Sequence, residues 1–128
     1  MVKALFGRDS ARLIAAGRVA LGVGFLLRPG AMPRLMGIDS GTVERTSWFG
    51  RMFGAREVAL GAGLLLAGSP EEERRWLLGG ALSDAVDAVA FAEALRRGLV
   101  RTAVGASFVA AALSATGTEV AAWLDSRE

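Results

Sequence analysis

Residues 48–68 read WFGRMFGAREVALGAGLLLAG, an apolar stretch that carries three charged residues. At 1.5 Å per residue, a helix of this length crosses the ~30 Å hydrocarbon core of a membrane. Four glycines recur near helical spacing on the same side as Glu57: Gly50, Gly54, Gly61 and Gly68. Small residues let two helices approach closely, so this glycine stripe predicts a helix–helix contact that contains Glu57. The glycine stripe is also the predicted contact of a homodimer.

Three further apolar segments have a similar length, at 10–27, 76–95 and 100–124. The Arg28-Pro29 pair ends the first of them, because proline cannot continue a helix, and a short interfacial helix is predicted over 31–37. Ser69-Pro70 followed by glutamates is typical of a helix start. Arg96-Arg97-Gly98 is typical of a helix end. We therefore predict an all-α fold, a single domain over residues 1–128 that forms an integral membrane bundle of four transmembrane helices.

The tryptophans lie at the ends of these segments and not in their middles: Trp48, Trp76 and Trp123. Tryptophan concentrates at membrane–water boundaries. The alternative is a soluble four-helix bundle whose charged residues face water. Against that alternative, segment 10–27 offers only Arg12 and Arg18 between Ala11 and Leu27, which is too little for a solvated stripe. The sequence therefore favours a multi-pass protein of the cell membrane.

The composition excludes several kinds of chemistry. The chain has no cysteine and no histidine, so it lacks disulfides, thiolate nucleophiles and the commonest metal ligand and general base. Its net charge of +2 is evenly spread, without a basic face that carries stacking aromatics, so no nucleic-acid partner is predicted. Glycine motifs for phosphate or dinucleotide binding are absent from the sequence, and neither a cofactor nor a metal is predicted.

Among the charged residues inside the predicted spans, three arginines face an equal number of acids: Arg18, Arg51, Arg56, Glu57, Asp84 and Asp87. An unpaired charge at the bilayer centre costs ~2.5–3.5 kcal/mol on insertion scales, so these residues should pair or face the bundle interior. Arg51 lies near the end of its span, where its side chain can reach the interface. Arg56 lies deeper and is predicted to reach an aspartate of segment 76–95. Asp84 and Asp87 lie about 60° apart on one helix face.

Short motifs with some of these charges are spread over residues 12–115: Gly17-Arg18, Arg28-Pro29, Gly54-Ala55-Arg56-Glu57 followed by Leu60-Gly61, and Ser83-Asp84-Ala85-Val86-Asp87. Together they resemble a group of small actinobacterial membrane proteins of unknown function, which are loosely similar to the DoxX-like proteins. The resemblance implies a four-helix integral membrane protein. It marks Arg18, Arg56, Asp84 and Asp87 as characteristic polar positions of the group. It implies no agreed activity.

Ionisable residues inside a membrane favour a functional site. We expect the chain to bind an amphipathic small molecule or lipid, of the isoprenoid or polyketide class, from within the membrane. If it also transforms this ligand, the available chemistry is proton transfer by carboxyl groups, as in an isomerase, a cyclase or a hydrolase. The candidate catalytic residues are Asp84, Asp87 and Glu57. The candidate ligand-binding residues are Arg18, Arg56, Arg51 and Ser83, with Arg18 or Arg56 orienting an anionic group.

Two alternatives stay open beside this hypothesis. One is a structural or interaction subunit of a membrane complex, in which the charges only hold four short helices together. The other is a small proton-coupled transporter that works as a dimer, with Glu57 as its membrane carboxylate. Whether the chain is an enzyme stays open as well.

Overall fold

The computed structural model describes residues 8–127, and these residues form five α-helices without a strand. The helices are α1 Arg8–Leu27, α2 Ala31–Leu35, α3 Ser40–Leu66, α4 Pro70–Arg96 and α5 Thr102–Asp125. The prediction of an all-α fold is confirmed, together with the four long helices and the short helix after the first of them. Residues 1–7 and 128 of the predicted single domain lie outside the described residues.

The helices α3 and α4 begin at capping residues that precede the apolar stretches. The Asp39 carboxylate accepts a hydrogen bond from the Thr42 backbone N–H at 2.9 Å, and α3 therefore begins at residue 40 instead of the predicted 48. Hydrogen bonds from the Thr42 side chain and backbone hold the pKa of Asp39 below its ordinary value. Ser69 accepts from the Glu72 N–H at 3.2 Å, and α4 begins at residue 70, which confirms the helix start predicted at Ser69-Pro70 and lies before the apolar segment 76–95. Such caps satisfy N–H groups of the first turn.

The backbones of α1 and α3 are in direct contact, and glycines make this approach feasible. A Cβ atom on Gly22 would lie 2.6 Å from the carbonyl oxygen of Gly54. On Gly54 it would lie 2.7 Å from the carbonyl oxygen of Gly22, and on Gly61 it would lie 2.6 Å from that of Ala15. Since no side chain fits at such distances, only glycine allows the two helices to pack this closely.

The glycine stripe therefore makes its contact within the chain. Gly54 and Gly61 face α1, and Gly50 faces Pro29 just after that helix. Gly68 lies beyond the end of α3. The prediction of a close helix–helix contact that contains Glu57 is confirmed, with α1 as the partner helix. The homodimer through the same glycines stays a prediction.

The four long helices form two pairs, α1 with α3 and α4 with α5, and the two pairs meet each other less extensively. In the second pair, Phe91 of α4 stacks on Phe108 of α5 with ring centroids 5.2 Å apart. A small apolar core joins all four long helices near one end: Ala11, Ala15, Leu64, Leu77 and Ala122.

Large apolar side chains lie on the outside of all four long helices. Leu27 is 77 % exposed, Phe49 63 %, Leu82 62 % and Leu113 58 %. Four charged side chains lie inside, each no more than 8 % exposed: Arg18, Glu57, Asp84 and Glu119. In water-soluble proteins charged residues are almost never this deeply buried unless they are paired, and large apolar surface patches are uncommon. The bundle therefore combines exposed apolar side chains with four buried charged ones.

Two of the described helices are long and apolar enough to cross a membrane, over Asp9–Leu27 and Thr102–Asp125. Helices α3 and α4 do not pass this test of length and composition, because each carries three charged residues within its apolar stretch: Arg51, Arg56 and Glu57 in α3, and Asp84, Asp87 and Glu93 in α4. A core helix of a soluble protein passes the same test. The sequence prediction of four spans is therefore not confirmed by helix composition.

Candidate functional site

Arg18 of α1 lies at the centre of the bundle and is bonded to a carboxylate from each of the other long helices. Its Nη1 donates to Oε2 of Glu57 at 2.6 Å. Its Nη2 donates to Oδ2 of Asp84 at 2.6 Å and to Oε1 of Glu119 at 2.6 Å. Its Nε also donates to Oε1 of Glu119, at 2.9 Å. One guanidinium group therefore links α1 to α3, α4 and α5.

Arg56 of α3 forms a second, less buried ion pair. Its Nη2 and Nη1 donate to the two carboxylate oxygens of Asp87 at 2.6 and 3.2 Å, which is the bidentate geometry that Arg favours. The guanidinium carbon lies 4.7 Å from the centre of the Phe53 ring. The predicted contact of Arg56 with an aspartate of segment 76–95 is confirmed. A longer bond of 3.3 Å to Oε1 of Glu57 joins this pair to the Arg18 cluster.

These contacts form one continuous arrangement, which we call the polar network: Arg18, Arg56, Glu57, Asp84, Asp87 and Glu119. Glycines on two helices make room for it. Gly54 and Gly61 flank Glu57 by about one turn and let α1 approach α3. Gly80 lies one turn before Asp84, and a Cβ atom there would lie 2.5 Å from Oε1 of Glu119 and 2.8 Å from Nη2 of Arg18.

Glu119, which is only 1 % exposed, is not among the site residues predicted from the sequence. It follows an uncharged run of 17 residues, 102–118, and it is the only acidic residue within the predicted segment 100–124. Charged residues inside a predicted span favour a functional site, and Glu119 is such a residue. Counting the charged residues of all four segments would therefore have included it in the site.

Arg51 and Ser83 lie outside the polar network. Arg51 is exposed, consistent with the prediction that its side chain reaches the interface. Ser83 is half-buried, and its Oγ has no hydrogen-bond partner among the described residues. The polar network thus contains two guanidinium groups and four carboxyl groups. The equal numbers of each sign that the sequence suggested are therefore wrong for the site, which has an excess of acidic groups.

A cleft of about 280 Å³ leads from the outer surface between α1 and α5 to the polar network. Its walls, which are mainly apolar, consist of Leu13, Ile14, Gly17, Leu21, Ala115 and Thr118. Its inner end is formed by Arg18, Glu57, Asp84 and Glu119. Oε2 of Glu119 is buried and has no hydrogen-bond partner within residues 8–127. The α1–α5 cleft therefore combines apolar walls with a charged inner end and one unused acceptor atom.

Three carboxylates of the polar network lie close enough together to be considered as metal ligands. Oxygens of Glu57, Asp84 and Asp87 lie within 4.8 Å of one another, and carboxylate oxygens are the donors that Mg²⁺ and Ca²⁺ prefer. Each of these carboxylates already accepts a hydrogen bond from Arg18 or Arg56. A divalent cation would compete with guanidinium groups for the same oxygens, so the arrangement fits ion pairing better than metal binding.

The fold thus brings the site residues together. The pair of Arg56 and Asp87 lies on one side of the polar network, and the residues that line the cleft lie on the other. Three of the candidate residues from the sequence line the α1–α5 cleft: Arg18, Glu57 and Asp84.

Comparison of the chain with protein-family models, with curated proteins and with solved structures found no match. The resemblance to DoxX-like membrane proteins stays a prediction.

Proposed function

We propose that the chain is a small integral membrane protein with four spans, which binds an amphipathic small molecule or lipid in the α1–α5 cleft. The observation that carries this proposal is the cleft itself, because apolar walls lead from the outside of the bundle to a buried charged end. Ligand sites are commonly apolar clefts with a few placed polar groups. The apolar part of such a ligand would lie against α1 and α5, and its polar end would meet the network.

The orientation of the charged residues supports four spans. Helices α3 and α4 carry too many charged residues to be assigned as membrane spans by composition alone. Most of these charged side chains point inward, since Glu57 and Asp84 are buried and Asp87 is bonded to Arg56. The outer faces of the same helices carry exposed apolar side chains such as Met52 and Val86. Interior charges and an apolar exterior are the arrangement that a bilayer requires of polar residues. The proposed location is the cell membrane.

Acid–base transformation of the ligand is the second part of the proposal. Of the candidate catalytic residues, Glu57 and Asp84 line the cleft, and Glu119 joins them there. Asp87 does not line the cleft, and its two oxygens are bonded to Arg56. A general acid must be within hydrogen-bond reach of its substrate. Proton transfer would therefore fall to the three cleft carboxyls, while Asp87 would position Arg56.

The experiment that tests the proposal blocks the cleft without disturbing the polar network. A Cβ atom at Gly17 meets nothing within 4 Å, and the same is true at Gly117, which lies outside the cleft. We expect full-length protein purified from membranes to carry a bound amphipathic compound, measured by mass spectrometry of an organic extract. Gly17→Leu should reduce this compound at least tenfold, and Gly117→Leu should leave it unchanged. Equal amounts of the compound in all three proteins would contradict binding in the cleft.

A structural subunit is the second candidate function, and the contacts of Arg18 favour it. A guanidinium group that links four helices holds the bundle together whether or not a ligand binds. The two candidate functions predict different results for Gly17→Leu, the variant with the blocked cleft. A structural subunit would carry no ligand in any variant, and its partner proteins would still co-purify with Gly17→Leu.

A further inference from the structure

Four of the five N–H groups of Arg18, the donor residue at the inner end of the α1–α5 cleft, are already used. All three side-chain nitrogens of Arg18 donate to carboxylates of Glu57, Asp84 or Glu119. Arg56 is not among the residues that line the cleft. An anionic group that entered the cleft would therefore meet three carboxylates arranged around an arginine that has one N–H group left to donate. The expectation that Arg18 or Arg56 orients an anionic ligand is not supported by this geometry.

The acceptor groups are in excess at the same place. The polar network contains four carboxyl groups against two guanidinium groups. Glu119 is 1 % exposed and lines the cleft, and its Oε2 has no hydrogen-bond partner within the described chain. A buried acceptor without a partner is unfavourable, and a donor supplied by a ligand relieves it. Charge and hydrogen-bonding capacity thus both favour a ligand that brings a positive charge and N–H groups.

We infer that the α1–α5 cleft binds an amphiphile whose polar end is an ammonium group with N–H donors, held by Oε2 of Glu119. This inference rests on the proposed function and specifies the chemical class of its ligand. The apolar tail lies along Leu13, Ile14 and Leu21 of α1. A hydrogen bond between an ammonium and a carboxylate is stronger than one between neutral groups, and the low dielectric of the site increases its strength.

The test compares probes with the same chain length and different head groups. The full-length protein is placed in nanodiscs of phosphatidylcholine, and binding of decylammonium, decanol and decanoate is measured by equilibrium binding at pH 7, with empty nanodiscs subtracted. We expect decylammonium to bind at least tenfold more tightly than decanoate. Glu119→Gln should weaken decylammonium binding about tenfold or more. Asp125→Asn removes a carboxylate from an exposed position of the same helix and should leave binding unchanged.

Failure of the ammonium inference and failure of the proposed function give different results in this experiment. Decanoate or decanol binding as tightly as decylammonium, or Glu119→Gln binding within twofold of the wild type, would overturn the ammonium inference while the cleft stays a binding site. No binding of any of the three probes to the wild type would overturn the proposed function as well. If Glu119→Gln does not fold, the preference of the wild type among the three probes decides, with Gly17→Leu as the variant that must abolish binding.

Discussion

Arg18 is bonded to three carboxylates on three helices, so its removal leaves all of them without their cation. Removing one partner of a buried ion pair costs about 3–5 kcal/mol, because the remaining charge stays in a medium of low dielectric. Since whole domains are stable by only about 5–15 kcal/mol, this loss is a large part of the total. The residue most sensitive to substitution in this chain is thus expected to be a charged one.

We expect Arg18→Leu to lower the free energy of unfolding by at least ~3 kcal/mol, measured by thermal or denaturant unfolding of the detergent-solubilised protein. Arg51→Leu is the matched control, because Arg51 is exposed and lies outside the polar network. Substitution at such a position changes stability by about 0.5 kcal/mol or less. Similar stability of the two variants would mean that the polar network does not hold the four helices together.

At the level of the helices, the closest approach of α4 to the polar network depends on Gly80. A Cβ atom there would lie 2.5 Å from Oε1 of Glu119, whereas one on the neighbouring Gly79 has its nearest atom, Cδ2 of Leu60, at 3.8 Å. We expect Gly80→Ala to destabilise the protein by about 1–3 kcal/mol, the usual cost of overpacking.

Gly79→Ala should be neutral or stabilise the protein by up to about 1 kcal/mol, since alanine is the better helix former. Thermal unfolding of both variants in the same detergent makes the comparison. If Gly80→Ala is as stable as Gly79→Ala, the spacing between α4 and α5 at this point is wider than the structure has it.

The helices themselves could be predicted from the sequence, because apolar runs and breakers such as Arg28-Pro29 are local features. The partner of Arg56 could also be predicted, since its depth left only the aspartates of the neighbouring segment. The helix that packs on the glycine stripe could not be predicted, because small residues allow a close approach but do not specify which helix makes it. The threefold contact of Arg18 depends on how four helices meet, and no spacing within one helix encodes that.

For the whole molecule, the four proposed spans would place alternate connections on opposite sides of the membrane. Ser40 is the first residue of the second long helix and Leu99 follows the third, and the structure holds these ends together through a 2.9 Å hydrogen bond from the Arg101 N–H to the Met36 carbonyl. Gly68 and Arg127 lie at the other end of the bundle.

We therefore expect the cysteine variants Ser40→Cys and Leu99→Cys to react alike with a membrane-impermeant maleimide, and oppositely to Gly68→Cys and Arg127→Cys. No native cysteine has to be replaced before these variants are made, because the chain has none. Labelling in intact and permeabilised cells gives the side of each position. Reaction of Ser40→Cys, Gly68→Cys and Leu99→Cys from one side would mean that only α1 and α5 cross, and the four-span proposal would be wrong.

The division of the bundle into two helix pairs has a mechanical consequence. Each pair is held together over its length, α1 to α3 by glycine contacts and α4 to α5 by packing that includes Phe91 on Phe108. The α1–α5 cleft lies on the seam between these pairs. Because the two pairs meet each other less extensively than the helices within each pair, a tilt of one pair against the other would widen the cleft without separating either pair. Arg18, bonded to both halves, would be the pivot of that motion.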